Sequence, residues 1–163
     1  MRLAQPWWQP VCATSATSPQ GDGLLTPTPV VERFLSLLSA KEIDAASDLL
    51  AANVEYVNVG LPAIHGRERV RRVLQASLGP AGAGFEVYMH AISAHESSVL
   101  TERTDVLLYR RLRIQIWVCG RFDVRGGEIV LWRDYFSATN FIAATLRGLL
   151  GIAIPAVRAK PPV

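Results

Sequence analysis

Apolar positions recur at helical intervals through most of residues 28–79 and then alternate from residue 84 onward. In "TPTPVVERFLSLLSAK", Val30, Phe34, Leu37 and Leu38 make a stripe that predicts an amphipathic helix. Thr28 is placed to cap it, with Pro29 at the first helical position, where a missing N–H is harmless. "EIDAASDLL" repeats the helical spacing through Ile43, Ala46, Leu49 and Leu50. "VEYVNVG" interrupts with a short strand that ends at Gly60. "GRERVRRVLQASLG" predicts a third helix, with Val70, Val73 and Leu74 inward and Gly79-Pro80 as its stop.

The alternating stretch divides into four strands: "GFEVYMHAIS", "SVLTERTDVLLY", "RIQIWVCGRFDV" and "EIVLWRDYFS". "RGGE" at 125–128 is a hairpin turn whose two glycines accept positive φ. A last helix, "TNFIAATLRGLLGI", closes the pattern before Pro155. Helices followed by a run of strands argue an α+β fold rather than alternating α/β. A long meander must cover its inner face. The early helices can do so by packing on a curved mixed sheet, which leaves a cone with an open mouth. Residues 28–155 therefore read as one domain. Residues 1–27, rich in Pro, Ser, Thr, Gly and Gln and carrying Trp7 and Trp8, read as a flexible arm, and 156–163 as a tail.

Composition narrows the picture without deciding it. The chain has 163 residues, half of them hydrophobic, 19% charged and with net charge +3, as expected for a single domain with a sizeable core. Arg67, Arg69, Arg71 and Arg72 cluster in the third helix, but Glu68 interrupts them and no aromatics interleave. They read as a solvated face rather than a nucleic-acid site. Arg110, Arg111 and Arg113 read the same way. Two cysteines, Cys12 and Cys119, give neither a disulfide framework nor metal-ligand spacing, and Cys119 reads as a small core residue. That usage fits a reducing cytoplasm. Gln and Pro break the apolar runs of the N-terminus, which argues against a secretory signal. No run approaches the ~20 residues of a membrane span. His65, His90 and His95 have no triad partner and read as structural or surface residues. Trp117, Trp132, Phe85, Met89, Leu74, Leu78 and Phe141 read as core before pocket, and the pattern does not select which of them line a cavity.

Candidate chemistry comes from polar groups on apolar strand faces. Side chains two apart on a strand share a face. Arg103 and Asp105 thus share one with Val99 and Leu107, while Glu102 points the other way. Tyr56 shares a face with Asn58, and Asp134 shares one with Val130, Trp132 and Phe136. Taken singly, each pair fits a solvated rim or a strand-end cap. If they converge, two carboxyls and one guanidinium occupy a low-dielectric pocket. Arg can bridge both carboxyls by charge-assisted hydrogen bonds. Like charges at close range then retain one proton between them, leaving one neutral acid and one anionic base. With Tyr56 and Asn58 to fix a water, the site suits hydration of a strained ring oxygen without metal or covalent nucleophile.

The motifs "YVNVG", "LTERTDVL" and "LWRDYF", with "QIWVCGRF" as context, resemble the limonene-1,2-epoxide hydrolase family, and its actinobacterial epoxide-hydrolase branch in particular. The resemblance runs from about residue 28 to residue 155. It implies a cystatin-like or NTF2-like cone, a homodimer, no cofactor, no metal, and one-step hydrolysis of an apolar, terpene-like or sterol-like epoxide to a vicinal diol. By motif, Asp134 becomes the base that deprotonates water, Tyr56 and Asn58 its water-holding partners, Asp105 the acid toward the epoxide oxygen, and Arg103 the bridge. Two other readings compete. A proton-transfer isomerase or cyclase of the same fold needs no bridging Arg or second Asp. A non-catalytic apolar-ligand-binding protein needs no carboxyl at all.

Overall fold

The computed structural model describes residues 26–160. The arm expected over residues 1–27, with Trp7, Trp8 and Cys12, lies outside these apart from its last two positions. The elements run α1 (Pro27–Ser39), α2 (Ile43–Asp48), β1 (Leu50–Asn58), β2 (Ile64–His65), α3 (Arg67–Leu78), β3 (Ala83–His95), β4 (Ser98–Tyr109), β5 (Leu112–Arg125), β6 (Glu128–Tyr135) and α4 (Ala138–Ala153). A short 3₁₀ turn, Pro155–Val157, follows α4. The six strands form one mixed sheet in the order β2-β1-β6-β5-β4-β3. All neighbours are antiparallel except β1 and β6, which run parallel. The α+β architecture read from the sequence is present.

Helix α1 is capped two residues earlier than predicted. Thr26 takes the N-cap position and Pro27 opens the helix. Thr26-Pro27 and Thr28-Pro29 are the same dipeptide, and the first already supplies the pre-set φ of a helix start. Pro29 still lies in the first turn, whose N–H groups have no partner within the helix. The buried stripe is Val31, Phe34, Leu35 and Leu38; Val30 and Leu37 only flank it. Helix α2 stops at Asp48, and Leu50, expected in the helix, is the first residue of β1. Val73, expected inward, is 39% exposed, while Val70, Leu74 and Leu78 are buried.

One core joins the helices to the inner face of the sheet. Phe34, Leu38, Val70 and Leu74 pack against Val54, Val99, Phe122, Ile129 and Trp132. The register of β6 slips between Ile129 and Leu131, so Ile129 rather than Val130 takes the inner face. The hairpin between β5 and β6 turns on Gly126 and Gly127, with φ of 58° and 83°, as two-residue turns of this kind require. Cys119 is not a core residue; it sits half-buried on the outer face, with Glu102 and Tyr135 as its cross-strand neighbours. Trp117 and Met89, also read as core, are 52% and 36% exposed.

Arg67 and Arg71 of α3 are engaged locally. Arg67 pairs with Glu128 at 2.7 Å and donates to the Leu50 carbonyl. Arg71 meets Asp44 at 3.2 Å. Among the described residues, no helix is long and apolar enough to cross a membrane.

Candidate active site

Strand pairing assembles the site from four non-adjacent stretches of chain. The parallel pairing of β1 with β6 sets Tyr56 beside Trp132 and Asn58 beside Asp134. The Val59 amide donates to the Asp134 carbonyl at 2.9 Å and locks that register. On the other side of β6, Asp134 is opposite Gly120 of β5, which is opposite Thr101 of β4. One row across the sheet therefore reads Asn58, Asp134, Gly120, Thr101. Arg103 and Asp105 follow on the inner face of β4.

Arg103 is fully buried and ties the row together. Its Nε donates to Asp105 Oδ1 at 2.9 Å, its Nη2 to Asp134 Oδ1 at 2.7 Å, and its Nη1 to Thr101 Oγ1 at 2.8 Å. The guanidinium carbon lies 5.7 Å from the Phe122 ring centroid, a cation–π contact. Asp134 Oδ2 accepts a second bond, from the Trp132 indole N–H at 2.9 Å. The Trp132 ring stacks on Tyr56 at a centroid separation of 4.0 Å. The Asn58 amide N–H donates to the Tyr56 hydroxyl at 2.8 Å.

Tyr56, Asn58, Asp105, Trp132 and Asp134 form the floor of a cavity of about 410 Å³. Its walls are apolar, with Leu38, Ile64, Leu74, Leu78, Phe85, Leu107, Ile116 and Val118 among them. Phe136 and Phe141 stand at one side, their rings 6.1 Å apart. Trp132, Leu74, Leu78, Phe85 and Phe141, read from sequence as core, all reach this cavity. A helix or strand face that covers a core can also line a void within it, and periodicity does not separate the two cases.

Burial sets the electrostatics. It pushes the Asp105 carboxyl up to about 6, against the pull of Arg103. It raises Asp134 as well, opposed by Arg103 and by the Trp132 indole. Burial works against the Arg103 charge, but Asp134 and Asp105 outweigh it and hold the guanidinium above its ordinary value. Burial, reinforced by Asp134, lifts the Tyr56 phenol to about 12, so its hydroxyl keeps its proton. Two carboxyls around one cation favour retaining a single proton between them. Asp134 accepts two donors and Asp105 one, which favours the anion on Asp134 and the proton on Asp105.

All five residues singled out in the sequence are thus brought to one place. Tyr56, Asn58, Asp105 and Asp134 face the cavity, and Arg103 lies in the floor beneath them. Sequence reading missed Trp132, Thr101 and Gly120 as members. Trp132 and Thr101 each sit two residues from a chosen charged residue on the same strand face, and that spacing was the available signal.

A cavity with apolar walls and two buried carboxyls at its floor, enclosed by a curved six-stranded sheet and helices, belongs to an NTF2-like fold. Among solved structures, an NTF2-like protein from Cytophaga hutchinsonii has the same fold, at TM-score 0.61 and 17% identity, covering 75% of this chain and 99% of that one. The model of the limonene-1,2-epoxide hydrolase catalytic domain matches residues 25–147, and the chain belongs to that family. It is 40% identical over 143 residues to epoxide hydrolase EphG of Mycobacterium tuberculosis, covering 88% of this chain and 95% of that protein. The structure of a limonene-epoxide-hydrolase-like epoxide hydrolase from M. tuberculosis superposes at TM-score 0.76 with 41% identity, covering 82% of this chain and 94% of that one. The protein is an epoxide hydrolase of this type.

Proposed function

We propose that the enzyme adds water to an apolar, terpene-like or sterol-like epoxide in one step, giving a vicinal diol with no ester to the protein. The anionic Asp134 takes a proton from a water. Tyr56 donates its hydroxyl hydrogen to that water, and the Asn58 side-chain carbonyl accepts the water's second hydrogen. The Asn58 amide bond to Tyr56 supports this orientation, because it uses the N–H end and leaves the carbonyl free. Water oxygen attacks an epoxide carbon while the C–O bond to the ring oxygen breaks. Asp105 delivers its proton to that oxygen. Arg103 keeps acid and base in register and lets the proton balance be restored between them.

One geometry carries the reading: a single buried guanidinium spans two buried carboxyls, at 2.9 and 2.7 Å, on the floor of an apolar cavity. Neither a proton-transfer isomerase nor a binding protein requires that bridge. The test is turnover of limonene oxide or cyclohexene oxide by Asp105→Asn and Asp134→Asn. Each is expected to lose at least about 100-fold in kcat with folding intact. A near-normal rate in either variant removes the role given to that residue.

We also propose that the working unit is a homodimer in the cytoplasm. Helix α4 leaves Ile142, Leu146, Leu149 and Leu150 half or more exposed along one stripe, continued by Ile154. A second copy is the simplest cover for so apolar a face.

A further inference from the structure

The guanidinium of Arg103 occupies space that any residue other than glycine at position 120 would fill. A Cβ on Gly120 would stand 2.1 Å from Arg103 Nη1, 2.6 Å from Thr101 Oγ1 and 3.1 Å from Asp134 Oδ1. Gly120 lies between Thr101 and Asp134 in the row across the sheet, so the gap it leaves opens toward both the base and the hydroxyl. Arg103 fills the gap from a neighbouring position on β4.

Thr101 is 4% exposed and does not line the cavity. Its hydroxyl accepts from Arg103 Nη1 at 2.8 Å and faces the Gly120 carbonyl at 3.5 Å, toward which its own hydrogen can point. That carbonyl holds the hydroxyl as an acceptor toward the cation.

A free guanidinium facing two carboxylates gains most by turning its fork onto one of them in a bidentate pair. Here it does not. It gives Nε to Asp105, Nη2 to Asp134 and Nη1 to a neutral oxygen. We infer that Thr101 and Gly120 form the seat of Arg103: Gly120 supplies the room and Thr101 the third anchor, so the cation divides its N–H groups evenly between acid and base. Both are positioning residues, acting on the reaction only through Arg103. The titratable groups around the seat are Asp105 from β4, Asp134 from β6 and Tyr56 from β1.

The inference rests on the roles proposed for Asp105, Asp134 and Arg103. Its test is the steady-state pH profile of Thr101→Val, Thr101→Ser and Gly120→Ala, measured beside Asp134→Asn with limonene oxide. Thr101→Val keeps the volume but removes the acceptor. It is expected to lose about tenfold in kcat with KM within about twofold of the parent. A limb of its pH profile should move, because the carboxyls no longer share the cation equally. Thr101→Ser restores the anchor and is expected to recover most of kcat and the parent profile. Gly120→Ala pushes Nη1 off the strand, and the turning guanidinium carries Nη2 away from Asp134 Oδ1. The base then loses its cation, and the acid limb is expected to move to higher pH. If Gly120→Ala fails to fold, the two Thr101 variants decide. A Thr101→Val enzyme with the parent kcat and pH profile overturns the seat, as does a Thr101→Ser enzyme no better than Thr101→Val. If Asp134→Asn is inactive while Thr101→Val matches the parent, only the seat falls. If Asp134→Asn keeps the parent rate, the site reading falls and the seat with it.

Discussion

Asp105 and Asp134 have the same chemistry and opposite proposed roles, and what separates them is the number of donors each carboxyl accepts. Trp132 gives Asp134 a neutral hydrogen bond that Asp105 lacks. The proposed working state holds one proton on the pair, so kcat/KM should be bell-shaped. It rises on the acid side as the base ionises. It falls on the alkaline side as the last proton leaves, at or above about pH 6, where burial places Asp105. A flat profile from pH 5 to pH 9 would contradict the shared proton. Tyr56→Phe should cost less than either aspartate change, about tenfold, because Asn58 and Asp134 still hold the water; kcat of that variant is the check. The charged members were legible in the sequence, since an Arg-x-Asp pair and an Asp between Trp132 and Phe136 sit badly on apolar faces. Gly120 was not. A glycine in a strand has several explanations, and only the position of Arg103 across the strand selects one.

At the scale of elements, the site is a product of register. Asn58 and Asp134 are neighbours because β1 and β6 pair in parallel, although 76 positions separate them along the chain. Alternation in each strand marked the faces, but no local pattern announced that pairing. The hairpins were better marked, and Gly126 and Gly127 identify the β5–β6 turn from residue type alone. Helix ends were the weakest reading. Two Thr-Pro pairs competed for the start of α1, and Leu50 kept helical spacing while belonging to β1. Helix α1 holds the inner face through Phe34, whose ring meets Trp132 edge-on at 4.9 Å. Phe34→Ala should therefore destabilise the fold by about 3–5 kcal/mol, read from the denaturant midpoint, and should disturb the indole that serves Asp134. A loss under about 1 kcal/mol would mean that α1 does not anchor the core.

For the whole molecule, the cavity is bought with stability. Burying two carboxyls and a guanidinium seldom improves on an apolar core, even when each is paired. The folded-state value of Asp105 lies above its unfolded value, so the native state binds its proton more tightly. That contribution is present at acid pH and is lost as pH rises from about 4 through about 6. The melting temperature of the parent relative to Asp105→Asn should accordingly fall across that interval, and a constant difference would contradict the burial argument. The α4 stripe belongs to this scale too. Leu146→Glu with Leu150→Glu should convert the proposed dimer to monomer in sedimentation velocity, and a parent that sediments as a monomer would remove the dimer.

The most direct test of the account is one turnover in ¹⁸O-labelled water with enzyme in excess over epoxide. Direct attack by water held between Asp134, Tyr56 and Asn58 places ¹⁸O in the first diol formed and none in the protein. A first diol without label, with ¹⁸O left on an aspartate, would mean that a carboxylate attacks carbon and that the shared-proton mechanism is wrong.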